Sequence, residues 1–297
     1  MRKMALLIIT SMLLCSKSLM ALPSGDAKIV EHDPFRIWKR SKNFEKVKQA
    51  GSKVVYLRDE NNYFAFWIPG TAKGKRIMIA VHGTGGNPYE ELKDELPLAK
   101  HFDYIVVAVN WFTRERGYFE ARDLYRNILK ALEFIRSEYD NDLSQVGYIG
   151  FSRGSAIAYE VAHLDAKTEN LMDLFICHSG GIPRDFRIEA KSANSHPDDF
   201  FYKLANGSLG ADALKGEKFF LYSGDKDANW GATMSDQMQY ASDLIKNSGG
   251  QVMEWVRDPN GTHAGLRTQP YINEKAIRWF IQITTQEAKE AAYLKPL

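Results

Sequence analysis

Short apolar runs recur along the chain, separated by longer amphipathic stretches. Six of them stand out: Ile77–Val81, Ile105–Val109, Val146–Ile149, Leu174–Cys177, Phe219–Tyr222 and Val252–Val256. Each is largely apolar at successive positions, as a strand is when helices cover both faces of its sheet. Between them the apolar positions fall at helical spacing. Leu124, Ile128, Leu132 and Ile135 recur every three or four residues, and Ala276, Ile277, Phe280 and Ile281 do so near the C-terminus. Strand–helix alternation predicts an α/β fold, with a mostly parallel, twisted sheet and helices on both faces. Two alternating segments, Val54–Leu57 and Tyr63–Ile68, flank Asp59-Glu60-Asn61-Asn62. They predict an antiparallel hairpin at the N-terminal edge of that sheet. Residues 182–216 carry Pro183, Pro197 and many polar side chains but no strand pattern. This stretch reads as a small excursion, too short to be a second domain.

The chain opens differently. Arg2 and Lys3 precede a nearly unbroken apolar run, Met4–Cys15, which gives way to Ser16, Lys17, Ser18 and Ala21. A basic start, a short apolar middle and a small-residue exit form a secretory leader. The run falls short of the roughly 20 residues that cross a bilayer. Residues 1–21 are therefore expected to be removed on export, leaving residues 22–297 as a single domain, periplasmic or secreted, without stable membrane insertion. Three of the 39 basic residues and none of the 37 acidic ones lie in that leader, so the formal +2 of the whole chain becomes −1. Such a balance gives no reason to expect a nucleic-acid partner. The chain has 2 cysteines, too few for a disulfide scaffold or a cysteine zinc module. Cys177, inside an apolar run, reads as a small buried hydrophobe.

Ligands of parallel sheets bind beyond the carboxyl ends of the strands, so the residues that follow each strand matter most. After the third run comes Gly150-Phe151-Ser152-Arg153-Gly154, with a helix-like segment directly behind it. G-x-S-x-G at a strand-to-helix turn holds a serine hydroxyl clear of the sheet, and the glycines leave room for the neighbouring backbone. After the first run comes His82-Gly83-Thr84-Gly85-Gly86-Asn87. This glycine-rich loop can aim backbone N–H groups at a carbonyl oxygen. One oxyanion donor is expected from Thr84 or Gly85 and the other from Arg153, the residue after the serine. His82 is expected to brace the loop. The fifth run leads into Ser223-Gly224-Asp225-Lys226-Asp227, and the sixth into a loop carrying His263. A serine nucleophile needs a base, and the base needs a carboxylate to orient it, in the chain order serine, acid, histidine. Of the 7 histidines, His263 alone lies beyond both aspartates. Asp225, Asp227 and Asn229 also begin like a calcium loop. Trp230 then stands where that loop needs glycine and Asp236 where it needs a bidentate glutamate, so no metal is expected. His178, after the fourth run, and the loop aromatics Trp111 and Trp230 are candidates for substrate contact. Packing beneath the loops is the competing role for such aromatics.

These motifs, in this order, resemble the α/β-hydrolase superfamily over about residues 50–290. In members with G-x-x-D after the strand, the last aspartate is the triad acid. The resemblance therefore implies a Ser152–His263–Asp227 triad, with Asp225 as the second choice, and no cofactor. Within the superfamily the chain looks most like compact exported esterases and polyester or feruloyl-ester hydrolases, and it departs from the lipase branch in its H-G-T-G-G loop. The implied reaction is carboxylic-ester cleavage of a small-molecule or polymeric substrate through an acyl-enzyme. An amidase or peptidase using the same triad, or a binding protein on the same scaffold, are the alternatives.

Overall fold

The computed structural model describes residues 28–30, 42–57, 62–113, 117–182, 198–228 and 231–293. The expected leader, residues 1–21, and Trp230 lie outside them. In chain order the elements are β1 (Lys28–Val30), α1 (Lys42–Gln49), β2 (Lys53–Tyr56), β3 (Tyr63–Trp67), β4 (Ile77–Val81), α2 (Pro88–Phe102) and β5 (Ile105–Val109). A small hairpin, β6 (Phe112–Thr113) and β7 (Gly117–Tyr118), leads to α3 (Ala121–Tyr139) and β8 (Val146–Phe151). Then come α4 (Arg153–Ala156), α5 (Ala158–Lys167), β9 (Met172–His178), α6 (Asp198–Ala205), β10 (Lys218–Gly224) and α7 (Gly231–Asn247). The last are β11 (Gln251–Asp258), α8 (Gly265–Thr268) and α9 (Pro270–Tyr293).

Among the described residues, nine strands form one sheet in the order β1-β2-β3-β5-β4-β8-β9-β10-β11. The six runs read from the sequence are its six parallel strands, β5, β4, β8, β9, β10 and β11. The expected hairpin is β2–β3, antiparallel and joined to β5. One further strand, β1, pairs antiparallel outside it, so the hairpin is not the outermost pair. Three residues are too short to announce themselves by periodicity.

The alternation of side chains divides the core in two. On β4, Ile77, Ile79 and Val81 face one layer with Leu124 and Ile128 of α3, Val161 of α5 and Met238 of α7. Met78 and Ala80 face the other with Leu92 of α2 and Ile277 and Phe280 of α9. Two buried layers on one sheet are why the central strands carry no polar alternation. Cys177 is buried in the first layer. In the excursion, Ile182 and α6 join that same layer, and residues 183–197 lie outside the described set. No helix among the described residues is long and apolar enough to cross a membrane.

Sheet order sets the position of the site. The chain passes from β4 to β5 on one side and then returns to place β8 on the other. Loops after β4 and β8 therefore diverge at the reversal and leave a crevice between them.

Candidate active site

The Ser152 backbone sits at φ 53° and ψ −114°, in a region that side-chain-bearing residues rarely adopt. A conformation of this kind costs about 1–3 kcal/mol and persists only where its surroundings over-determine it. Here the restraints can be named. Ser152 N–H donates to the His178 carbonyl at 2.8 Å, and the Ser152 carbonyl accepts from Ser155 and Ala156 N–H, each at 3.0 Å. Tyr148 Oη donates to the Gly154 carbonyl at 2.7 Å, while Ser155 Oγ and Tyr159 Oη donate to the Gly180 carbonyl at 2.7 and 3.0 Å. A Cβ at Gly150 would overlap the Gly154 carbonyl, and one at Gly154 would overlap the Val81 carbonyl. The two motif glycines thus permit the close approach of α4 to β8 and β4. Gly180 does the same on the far side, where a Cβ would strike the Ser152 carbonyl.

His263 lies in the loop after β11. With the proton on Nδ1, it donates to Asp227 Oδ2 at 2.5 Å, and Nε2 accepts from Ser152 Oγ at 2.9 Å. The Asp227 carboxylate is fully buried, and the imidazole keeps one exposed edge. Asp225 turns away. It accepts from Ser235 Oγ at 2.6 Å and from Arg257 Nε at 3.0 Å. The Ser235 bond first, and then the Arg257 bond, hold its carboxyl below the usual carboxylate range. Of the two aspartates open in the sequence, Asp227 is therefore the one against the imidazole.

The acid loop and the histidine loop are tied together. Asp225 N–H donates to the Asp258 carbonyl at 2.9 Å, and Lys226 N–H to the Gly261 carbonyl at 2.8 Å. The Asp258 carboxylate accepts from Asn260 N–H at 2.9 Å and Tyr222 Oη at 3.2 Å. It also accepts from the Gln269 side chain. A second brace comes from α8. The Arg267 guanidinium lies 4.3 Å over the Phe151 ring, whose other neighbours are His263 at 5.0 Å and His178 at 4.8 Å. Arg267 pairs with Glu91 and, at 3.2 Å, with Asp94 of α2. Burial pushes both Glu91 and Glu95 up to about 7, and the nearby Arg267 cation offsets only part of that rise.

The loop after β4 is held from its first residue. His82 Nδ1 bonds the Gly83 carbonyl at 3.0 Å, and burial lowers the ring to about 4, so it stays neutral. This matches the expected bracing role. Thr84 and Gly85 are exposed beside the serine. The Gly85 N–H is engaged, donating to Tyr118 Oη at 2.7 Å. Among the described residues, neither the Thr84 nor the Arg153 N–H meets a protein acceptor.

The structure keeps two expected substrate residues inside the protein. Trp111 is 1% exposed and donates Nε1–H to the His82 carbonyl at 2.9 Å. His178 is fully buried between Phe151 and Tyr222, and burial lowers its pKa well below the usual range. Both stand at strand ends where the layers above and below still close over them, so they support the loops and form no open wall. Among the described residues, no group of three or more His, Cys, Asp or Glu side chains is arranged to hold a metal ion. Arg267, Tyr118 and Gly180 were not singled out for these roles in the sequence. The single available signal for Arg267 was its place four residues after His263, where it becomes the third residue of α8.

No protein-family model matches the chain, and no curated protein does. Solved structures do. An esterase of Rhizomucor miehei superposes with a TM-score of 0.61 at 15% identity, over 86% of this chain and 92% of its own. An arylesterase gives 0.56 at 12% identity over 91% and 87%. Est1E from Butyrivibrio proteoclasticus gives 0.52 at 12% identity over 88% and 99%. The chain therefore has the α/β-hydrolase fold.

Proposed function

We propose that this protein is a serine hydrolase that cleaves carboxylic esters. The observation that carries the reading is the continuous hydrogen-bond line from Ser152 Oγ through His263 to the buried Asp227 carboxylate. Esterases among the structural neighbours support the choice of bond. In the first half-reaction Ser152 Oγ attacks the ester carbonyl and His263 Nε2 takes its proton. The tetrahedral intermediate collapses, the carbon–oxygen bond to the alcohol breaks, and His263 returns the proton to the leaving oxygen. Water then attacks the acyl-enzyme, with His263 again accepting and returning one proton, and the carboxylic acid departs. Asp227 holds the imidazole with its proton on Nδ1 and balances the charge that forms on the ring. The N–H groups of Thr84 and Arg153, which meet no protein acceptor among the described residues, are the fitting oxyanion donors. Each such donor is typically worth about 10²–10³ in turnover. Gly85, with its amide already bonded to Tyr118, is the lesser candidate.

The leader-like residues 1–21 support export to the periplasm or beyond, where a small-molecule or polymeric ester would be met. The reading is tested with 4-nitrophenyl acetate against 4-nitroacetanilide. Ester turnover with little anilide turnover is expected. Comparable kcat/KM on both would move the assignment to an amidase, and turnover of neither by folded protein would overturn it. Release of soluble product from an insoluble polyester would add the polymeric class.

A further inference from the structure

Arg153 follows the nucleophile, and its side chain is exposed. Its guanidinium lies 4.5 Å over the ring of Tyr118. That ring is itself fixed. Its hydroxyl accepts from Gly85 N–H at 2.7 Å, and its flanks rest against Trp111 at 4.7 Å and Phe112 at 4.8 Å. Trp111 beneath is buried and anchored to the His82 carbonyl. A cation is thus mounted on a rigid aromatic plate, between the serine turn and the glycine-rich loop. Among the described residues, no carboxylate pairs with it. Among the described residues, Arg267 is buried and committed to Glu91 and Asp94, and Arg257 is committed to Asp225.

A guanidinium stacked on one face keeps its N–H edge free, and that edge matches a carboxylate in a two-point bond. Stacking also limits the rotamer freedom that binding would otherwise have to freeze. We propose that Arg153, held by Tyr118, is a specificity residue for esters that carry a free carboxylate near the scissile bond. This inference rests on the serine-hydrolase reading and deepens it. It names the substrate class as half-esters of dicarboxylic acids, or hydroxy acids acylated on their hydroxyl with the carboxylate free.

Two matched pairs test it. Mono-4-nitrophenyl adipate against 4-nitrophenyl hexanoate places the charge on the acyl side. 4-Acetoxybenzoate against its methyl ester places it on the leaving group. Each enzymatic kcat/KM is divided by the rate of alkaline hydrolysis of the same ester. The wild type should favour the charged member of at least one pair by about tenfold or more, the scale of a charge-assisted bond. Arg153→Gln should lower the charged-to-neutral ratio of that pair about ten- to a hundredfold, and Arg153→Lys should restore part of it. Raising salt to 0.5 M should shrink the wild-type ratio in the same direction. Wild-type turnover of the neutral esters with ratios near one would overturn this inference and leave the hydrolase reading standing. A ratio that Arg153→Gln leaves unchanged would overturn it too. Turnover of none of the four esters, with Ser152 inert to a fluorophosphonate, would remove both readings.

Discussion

Asp227→Asn separates the two aspartates by function. Asp227 lies 2.5 Å from His263 Nδ1 and is 3% exposed, so its charge acts on the imidazole with little solvent between them. An asparagine of the same shape can turn its amide nitrogen toward the ring. Nδ1 must then accept, the proton moves to Nε2, and the atom facing Ser152 Oγ can no longer take a proton. In a serine triad this change costs about 10⁴ in kcat. At about 1.36 kcal/mol per decade, that is roughly 5.4 kcal/mol of transition-state stabilisation. The companion variant Asp225→Asn removes charge from Ser235 and Arg257 and touches no group on the serine line. It should keep kcat within about threefold while losing about 1 kcal/mol of stability, the scale of a partly exposed hydrogen bond. The assay is single-turnover and steady-state hydrolysis of 4-nitrophenyl acetate at pH 8, with urea denaturation of both variants alongside. The reasoning is refuted if folded Asp227→Asn keeps turnover within tenfold of wild type, or if Asp225→Asn shows the larger loss.

Gly180→Ala should cost about 1–3 kcal/mol in urea denaturation and lower turnover by more than about tenfold, because the new methyl meets the Ser152 carbonyl and its strain passes to the Ser152 turn. Arg267→Met leaves Glu91 and Asp94 without their cation and should cost about 3–5 kcal/mol, read in the same denaturation. A loss below 1 kcal/mol would mean that the carboxylates are already neutral. Glu95 gives a dependence of stability on pH. Its buried carboxyl is raised from an ordinary 4.5 to about 7, so across that window the folded chain holds a proton that the unfolded chain has released. Stability should therefore fall as pH rises from 4.5 to 7, by roughly 3 kcal/mol for this group. Glu95→Gln should remove that part of the slope, leaving the part that Glu91 contributes; an unchanged slope would place the proton elsewhere.

The inner parallel strands β4, β5, β8, β9 and β10 were legible because they are apolar on both faces, as strands covered by two layers are, whereas the edge strand β11 is half-buried and carries Glu254 and Arg257. That Ser152 and His263 come together was legible because the G-x-S-x-G turn and the histidine loop each follow a parallel strand, in a fixed order along the chain. Asp225 and Asp227 were both plausible, since two residues apart on one turn they differ only in direction. Ser235 and Arg257, which draw Asp225 away, lie in other elements. Arg267 was hidden for the same reason, because its partner Glu91 is 176 residues distant. The placement of Trp111 and His178 failed differently. A residue just past a strand reads as loop, yet here the hairpin β6–β7 and the packing around Tyr222 extend the interior past the strand ends. No local pattern announces where a core stops.

The most direct test of the account is fluorophosphonate labelling with peptide mass mapping, on the wild type and on Ser152→Ala. Attack on the phosphorus by a serine hydroxyl requires the same base and the same orienting acid as attack on an ester. The account predicts one adduct, on Ser152, formed by the wild type and missing from the variant. A folded wild type that takes up no label, or takes it at another serine, would contradict it.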